Sequence, residues 1–312
     1  MRPLSRREVI KTAGAASFGL IAPHTVLPFK KSEDSVFKYC LNASTIKGQN
    51  PGIPKFLEIA SRAGYDFVEL WISDIKEYIA KGNSLRSLKK NIGDNQVKIA
   101  NAIGFATWMV DDNDQRKKGF IQMEEEMNLL AELGCIRVTA PASGVKNENS
   151  LDLFKAGELY KQLLDLGRKT GVMPQLEFWG SSKAFFHIGQ ALMVLAVSDD
   201  PDGRLLADVF HLYRGGSGFN GLKMLDGNVI EVFHMNDYIS SIPLEKQTDN
   251  DRVYPGDGVA PIKQILNDLR NMGGTKILSL ELFNKNYWNQ EAILVAKTGI
   301  EKMKKLDKLS QL

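Results

Sequence analysis

The chain has few residues for thiol or multinuclear metal chemistry. Its 312 residues include two cysteines, Cys40 and Cys135, and four histidines, one of which, His24, falls in the N-terminal leader. Two cysteines form neither a disulfide framework nor a thiolate zinc site, and both read as buried small hydrophobes. A surplus of one charge is also missing: 40 basic residues face 37 acidic ones, for a net charge of +3. Part of that surplus lies in Arg2, Arg6, Arg7 and Lys11, so the remainder is close to neutral and makes no electrostatic case for nucleic acid. No Pro/Ser-rich linker divides the chain, and no apolar run can anchor it stably in a membrane. What is present is ordinary globular composition, 43% hydrophobic and 25% charged, enough for a substantial core.

The first thirty or so residues stand apart. Ser5-Arg6-Arg7-Glu8-Val9-Ile10-Lys11 looks like a twin-arginine export motif, followed by a weakly apolar stretch containing Gly14, Ala15, Ala16 and Gly19. Such signals are addresses read by a receptor, not anchors. Residues 1–32 are therefore expected to be an export signal and flexible leader, with residues 33–312 forming one domain delivered to the periplasm.

After residue 35 the sequence alternates between strand and helix. Short apolar runs read as eight strands: Val36–Leu41, Phe67–Trp71, Val97–Ala102, Ile136–Ala140, Val172–Phe178, Arg204–Phe210, Val229–Met235 and Ile277–Phe283. They lack strict alternation, as strands buried on both faces do. Helical periodicity fills Ile53–Ala63, Phe120–Leu133, Leu153–Leu166, Gln190–Val197, Ile262–Met272 and Ala292–Leu306, and Gly64, Gly134, Gly171 and Gly273 each follow a helix. Eight such units in one chain predict an α/β fold, a closed (β/α)8 TIM barrel.

Barrel sites are built at the C-terminal ends of the strands. Four consecutive candidate strands, five to eight, each carry one ionisable residue there between large apolar neighbours: Glu177, Asp208, His234 and Glu281. An isolated carboxylate in such a place is costly unless paired or ligated. One shared divalent metal ion is the simplest group to satisfy all four. Three carboxylates and one imidazole form a mostly hard donor set, which favours manganese, magnesium or cobalt over zinc.

At these residues the chain resembles the xylose-isomerase-like barrel superfamily of sugar isomerases and epimerases. Gly64-Tyr65-Asp66-Phe67-Val68-Glu69-Leu70 looks like that family's second strand, and Leu176-Glu177, Asp208-Val209-Phe210-His211, His234-Met235-Asn236-Asp237 and Leu280-Glu281 look like its ordered metal ligands. Arg252 with Pro255-Gly256-Asp257-Gly258 resembles its substrate loop. The resemblance implies proton transfer next to a carbonyl through an enediolate, with Glu177 and Glu281 as acid/base groups on opposite substrate faces as well as ligands. It also places His211, Arg214, Arg252 and Glu69 as binders of substrate oxygens. Trp71, Trp108 and Trp179 lie at or just beyond strand ends, where they either line a sugar pocket by stacking or cap the barrel. His187, beside Phe185 and Phe186, reads as packing. The resemblance is compatible with a homodimer. No phosphate cradle is evident, so the expected substrate is an unphosphorylated keto-sugar or related polyol.

Other readings compete. Dehydration of a cyclic keto-polyol would use the same metal and a single base. A non-catalytic sugar-binding barrel would have lost a ligand, and this chain keeps all four. A nuclease of the same superfamily would need more histidines. Gly216-Ser217-Gly218-Phe219-Asn220-Gly221 spells a dinucleotide fingerprint, but it starts six residues after the sixth strand and lacks a long following helix, so it reads as a mobile βα loop.

Overall fold

A computed structural model of the chain describes residues 36–146 and 151–312. The expected export signal lies outside the described residues. Eight strands, β1 (Phe37–Asn42), β2 (Phe67–Trp71), β3 (Lys98–Ile103), β4 (Arg137–Pro141), β5 (Met173–Glu177), β6 (Leu205–Asp208), β7 (Val232–Met235) and β8 (Lys276–Leu280), close into a barrel in sequence order. All pairings are parallel, and β1 pairs with both β2 and β8. The helices are α1 (Gly52–Ala63), α2 (Ile72–Ala80), α3 (Leu85–Asp94), α4 (Asn113–Glu132), α5 (Leu153–Thr170), α6 (Ile188–Ser198), α7 (Val209–Arg214), α8 (Ile262–Asn271), α9 (Lys285–Trp288) and α10 (Ala292–Ser310). This is the (β/α)8 barrel that the alternation predicts, and the six expected helices are all present. No described helix is long and apolar enough to cross a membrane.

The elements form for local reasons. In α1, Ile53, Phe56, Leu57, Ile59 and Ala60 are buried on one stripe. Gly64 then ends the helix at φ 88°, its amide reaching the carbonyls of Ala60 and Ser61, a backbone that a side chain would strain. Between the barrel and its helices lies the main apolar layer, while Cys40, Ala100, Leu206, Val232 and Ile277 form a small second cluster. Cys40 and Cys135 are free and buried, as expected.

Two local expectations change. Between β2 and β3 the chain forms α2 and α3, beyond the six helices that the periodicity predicts. Strand β6 stops at Asp208 rather than running to Phe210, because the Asp208 side chain accepts the His211 backbone N–H at 2.9 Å and caps α7. After α7 the chain runs as a loop with Gly216 and Gly218 at positive φ, then enters a 3-10 helix over Asn220–Met224, so the expected loop covers only the first part of the 216–221 segment.

Candidate active site

Parallel closure brings all strand ends to one side, and register decides which side chains meet. Asp208 pairs with His234 across β6 and β7, and His234 pairs with Ser279, two residues before Glu281, across β7 and β8. Glu177 pairs with Leu206, two residues before Asp208. Asp208, His234 and Glu281 consequently offer ligand atoms that all lie within 4.8 Å of one another. His234 Nδ1 stands 3.2 Å from Glu281 Oε2 and 3.7 Å from Asp208 Oδ2. It is buried and has no hydrogen-bond partner. Glu177, the fourth expected ligand, lies outside this triplet, but its carboxyl feels the charges of all three.

The donor set fits a divalent cation. Burial disfavours a charged His234 ring, yet the carboxylates of Glu281 and Glu69 outweigh it and hold the ring well above its ordinary pKa. Negative charge thus converges on Nδ1, and either a proton there or a cation beside it can balance that charge. Burial pushes the Glu177 carboxyl up to about 8; His234 opposes this, and the charges of Glu281 and Asp208 add to it. Asp208 goes the other way, to about 2: burial resists, but Arg252, His211 and His234 prevail.

Arg252, expected to bind substrate, is 1% exposed, and its Nη1 donates to Asp208 Oδ2 at 2.8 Å and to Glu281 Oε2 at 2.7 Å. Its Nε and Nη2 reach Asp249 Oδ1 at 3.0 and 2.6 Å. His211 sits beside it, Nε2 3.3 Å from Arg252 Nη2. Burial lowers the His211 pKa; Asp208 opposes this, and the Arg252 charge adds to the lowering.

Over these groups lies a cavity of about 270 Å³ whose walls include Glu177, His211, Arg252 and Glu281. Its rim is aromatic. Trp71 and Phe105 have ring centroids 5.4 Å apart, Phe105 and Trp179 6.1 Å, and Trp71 and Phe283 6.3 Å. Lys47 Nζ lies 3.7 Å from the Trp71 ring centroid. A larger groove of about 470 Å³ between α1 and α2, near Lys47 and Tyr78, includes none of the site residues and carries no part of this chemistry.

Three expected substrate contacts are placed elsewhere. Glu69 is fully buried beneath the cavity, because two residues of β2 still follow it and Trp71 holds the rim position. Trp108 is also fully buried: the chain turns after β3 so that Phe105 faces the cavity, while Trp108 packs against Tyr160 and donates to the Pro141 carbonyl at 2.9 Å. Arg214, at the far end of α7, is carried past the cavity, with Nη2 3.5 Å from the Glu245 carbonyl. Phe105 and Asp249 line the cavity and were missed. Phe105 had a signal, an aromatic directly past a strand end.

A family profile described as "Xylose isomerase-like TIM barrel" matches residues 57–306. An inosose isomerase of Bacillus licheniformis is 30% identical over 87% of this chain and 100% of its own length. A 3-dehydroshikimate dehydratase of Pseudomonas putida is 24% identical over 75% of this chain, which spans 36% of that protein. Among solved structures, IolI protein, described with a binding zinc atom, superposes with a TM-score of 0.80 at 24% identity, over 88% of this chain and 99% of that one.

Proposed function

Since the chain belongs to the xylose isomerase-like TIM barrel family, we propose that it is a metal-dependent isomerase or epimerase acting by proton transfer next to the carbonyl of an unphosphorylated keto-sugar or cyclic keto-polyol. The observation that carries this reading is the convergence of Asp208 and Glu281 on the buried Nδ1 of His234, which has no hydrogen-bond partner, beside a cavity that Glu281 helps to line. The 30% identity to an inosose isomerase supports an isomerase acting on carbohydrates. The zinc described in IolI supports a divalent metal as cofactor.

Asp208, His234 and Glu281 would hold the cation, with Glu177 beside them, and the bound cation would polarise the substrate carbonyl. The rest is done by the chain. Burial raises the Glu177 carboxyl to about 8 in the metal-free chain, and a cation beside it would favour the carboxylate, the form that takes a proton from the substrate. Glu281 has Oε1 held by Asn42 Nδ2 at 3.1 Å and Oε2 by Arg252, so its carboxylate is fixed in direction. These two acids serve as the proton-transfer pair. The rim rings offer flat apolar faces to the C–H side of a polyol, while Arg252 and His211 address its oxygens.

Metal analysis of the purified protein beside His234→Ala tests the centre; about one equivalent of divalent metal in the first and much less in the second is expected. Solvent deuterium incorporation into ketoses and cyclic keto-polyols then tests the chemistry. Absence of bound metal together with no affinity for added metal would remove this reading. The match to a 3-dehydroshikimate dehydratase supports a second reading, dehydration by the same centre, for which the product would have lost water. Export through the twin-arginine route belongs to the proposal on the strength of Ser5-Arg6-Arg7 and its following apolar stretch; cell fractionation tests it.

A further inference from the structure

The floor beneath the cavity is polar, which a barrel interior should not be without cause. Glu69 on β2 pairs in register with Asn42 on β1 and Asn101 on β3, which puts three polar residues side by side. The β2–β3 register slips between Val68 and Glu69, where Val68 faces Ile99 but Glu69 faces Asn101. Such a bulge re-aims the side chains beyond it.

Every side chain around the Glu69 carboxylate presents a donor. Asn101 Nδ2 donates to Oε1 at 2.8 Å, Asn42 Nδ2 to Oε2 at 3.0 Å, and the Ser279 hydroxyl to Oε2. His234 Nε2 lies 3.2 and 3.0 Å from the two oxygens. A carboxylate cannot donate, so Nε2 carries the hydrogen in this contact. In a ring with one proton, Nδ1 is then bare, and it is Nδ1 that stands unpartnered opposite Asp208 and Glu281.

We infer that Glu69 is a positioning residue: it selects the His234 tautomer whose Nδ1 lone pair points at the cation site, and so sets the affinity of that site. Asn42 extends the same hold to the other side. Its one amide nitrogen donates to both Glu69 Oε2 and Glu281 Oε1, at 3.0 and 3.1 Å. The buried floor thereby orients two of the three convergent ligands without touching the cation. A buried Glu–His ion pair with a purely structural role would make no demand on which nitrogen keeps the proton.

The inference rests on the metal-dependent reading above, and its test separates the two. Chelator competition gives the dissociation constant for Zn²⁺ in the wild-type protein and in Glu69→Gln, with thermal melting as the check on folding. Gln fills the same space, but its NH₂ replaces an oxygen that now meets only donors, so His234 Nε2 loses a fixed acceptor. Zn²⁺ affinity should fall about 10–100-fold, the usual effect of removing such an outer partner. The hydrogen-bonded Nε2–H proton resonance of His234 in the Zn²⁺-loaded wild type should shift or vanish in the variant.

Ser279→Ala is the second variant, because Ser279 touches Glu69 and no ligand through its hydroxyl. It should weaken Zn²⁺ binding a few-fold in the same direction. A folded Glu69→Gln protein that binds Zn²⁺ within twofold of wild type, with the Nε2–H resonance unmoved, would overturn the inference. If Glu69→Gln does not fold, unchanged affinity in Ser279→Ala overturns it instead. Wild-type protein that binds no cation at all would sink the metal-dependent reading itself.

Discussion

Both ends of the barrel bury charge, but they treat it differently. At the N-terminal end of the strands each charge is closed off by a partner. Arg270 Nη2 meets Asp307 Oδ1 at 2.8 Å, and the other Asp307 oxygen accepts the Tyr39 hydroxyl at 3.0 Å. Arg137 Nε meets Glu231 Oε2 at 2.5 Å, and Lys276 Nζ donates to the Gly227 carbonyl at 2.6 Å. At the C-terminal end four carboxylates, Glu69, Glu177, Asp208 and Glu281, crowd around one arginine and two histidines, and Nδ1 of both His211 and His234 lacks a hydrogen-bond partner. Closed networks add rigidity, whereas an unfinished one marks a place where a ligand completes the set. One end reads as stability and the other as chemistry.

The contrast can be broken from either side. The largest effect should come from the open end: Glu177→Gln and Glu281→Gln should each lower kcat by about 10²–10⁴-fold while leaving the barrel folded. Full activity in Glu281→Gln would remove the two-acid scheme and favour a single base.

Proton linkage comes next. The folded Glu177 pKa of about 8 lies above its ordinary 4.5. The folded chain therefore holds a proton that the unfolded chain releases between those values, and stability from this group is lost as pH rises through the window. In chelator-treated protein the melting temperature should fall more steeply from pH 5 to 8.5 in the wild type than in Glu177→Gln. Parallel pH profiles would show that Glu177 is not the group responsible.

At the closed end, Arg270→Ala should cost about 1–3 kcal/mol of stability by removing the cation from the Asp307 carboxylate, seen as a lower urea midpoint with kcat unchanged. A change in kcat there would erase the division between the ends. The smallest effect is expected at the rim. Phe105→Ala should raise KM about 3–10-fold through the lost ring contact and leave kcat alone; equal losses in kcat and kcat/KM would instead place Phe105 in the transition state.

The barrel and the position of the acids were legible because both rest on local pattern. Strand ends announce themselves where Glu177, Asp208, His234 and Glu281 interrupt apolar runs. Depth was not legible. Glu69 and Trp71 lie two residues apart on one strand, and only the closed register puts one beneath the cavity and the other on its rim. The polar floor did leave a trace, since Asn101, Gln175 and Ser279 are each a lone polar residue among apolar neighbours in a strand. Trp108 shows the opposite failure: an aromatic just past a strand end suggested a wall, but where it points is set by how the following loop packs. The end of β6 was misplaced for a third reason. Val209 and Phe210 suit a strand, yet the cap made by Asp208 commits them to a helix.

That cap links two equilibria. Oδ1 of Asp208 holds the His211 amide in the first turn of α7, while Oδ2 accepts Asn236 Nδ2 at 3.0 Å and Arg252. Fraying α7 from its first turn thus frees the Asp208 carboxylate to rotate, and a ligand bound at Asp208 must resist that fraying. Occupancy of the site can accordingly be followed at the backbone: slowed hydrogen exchange at the His211 amide would report it, with no need to watch turnover.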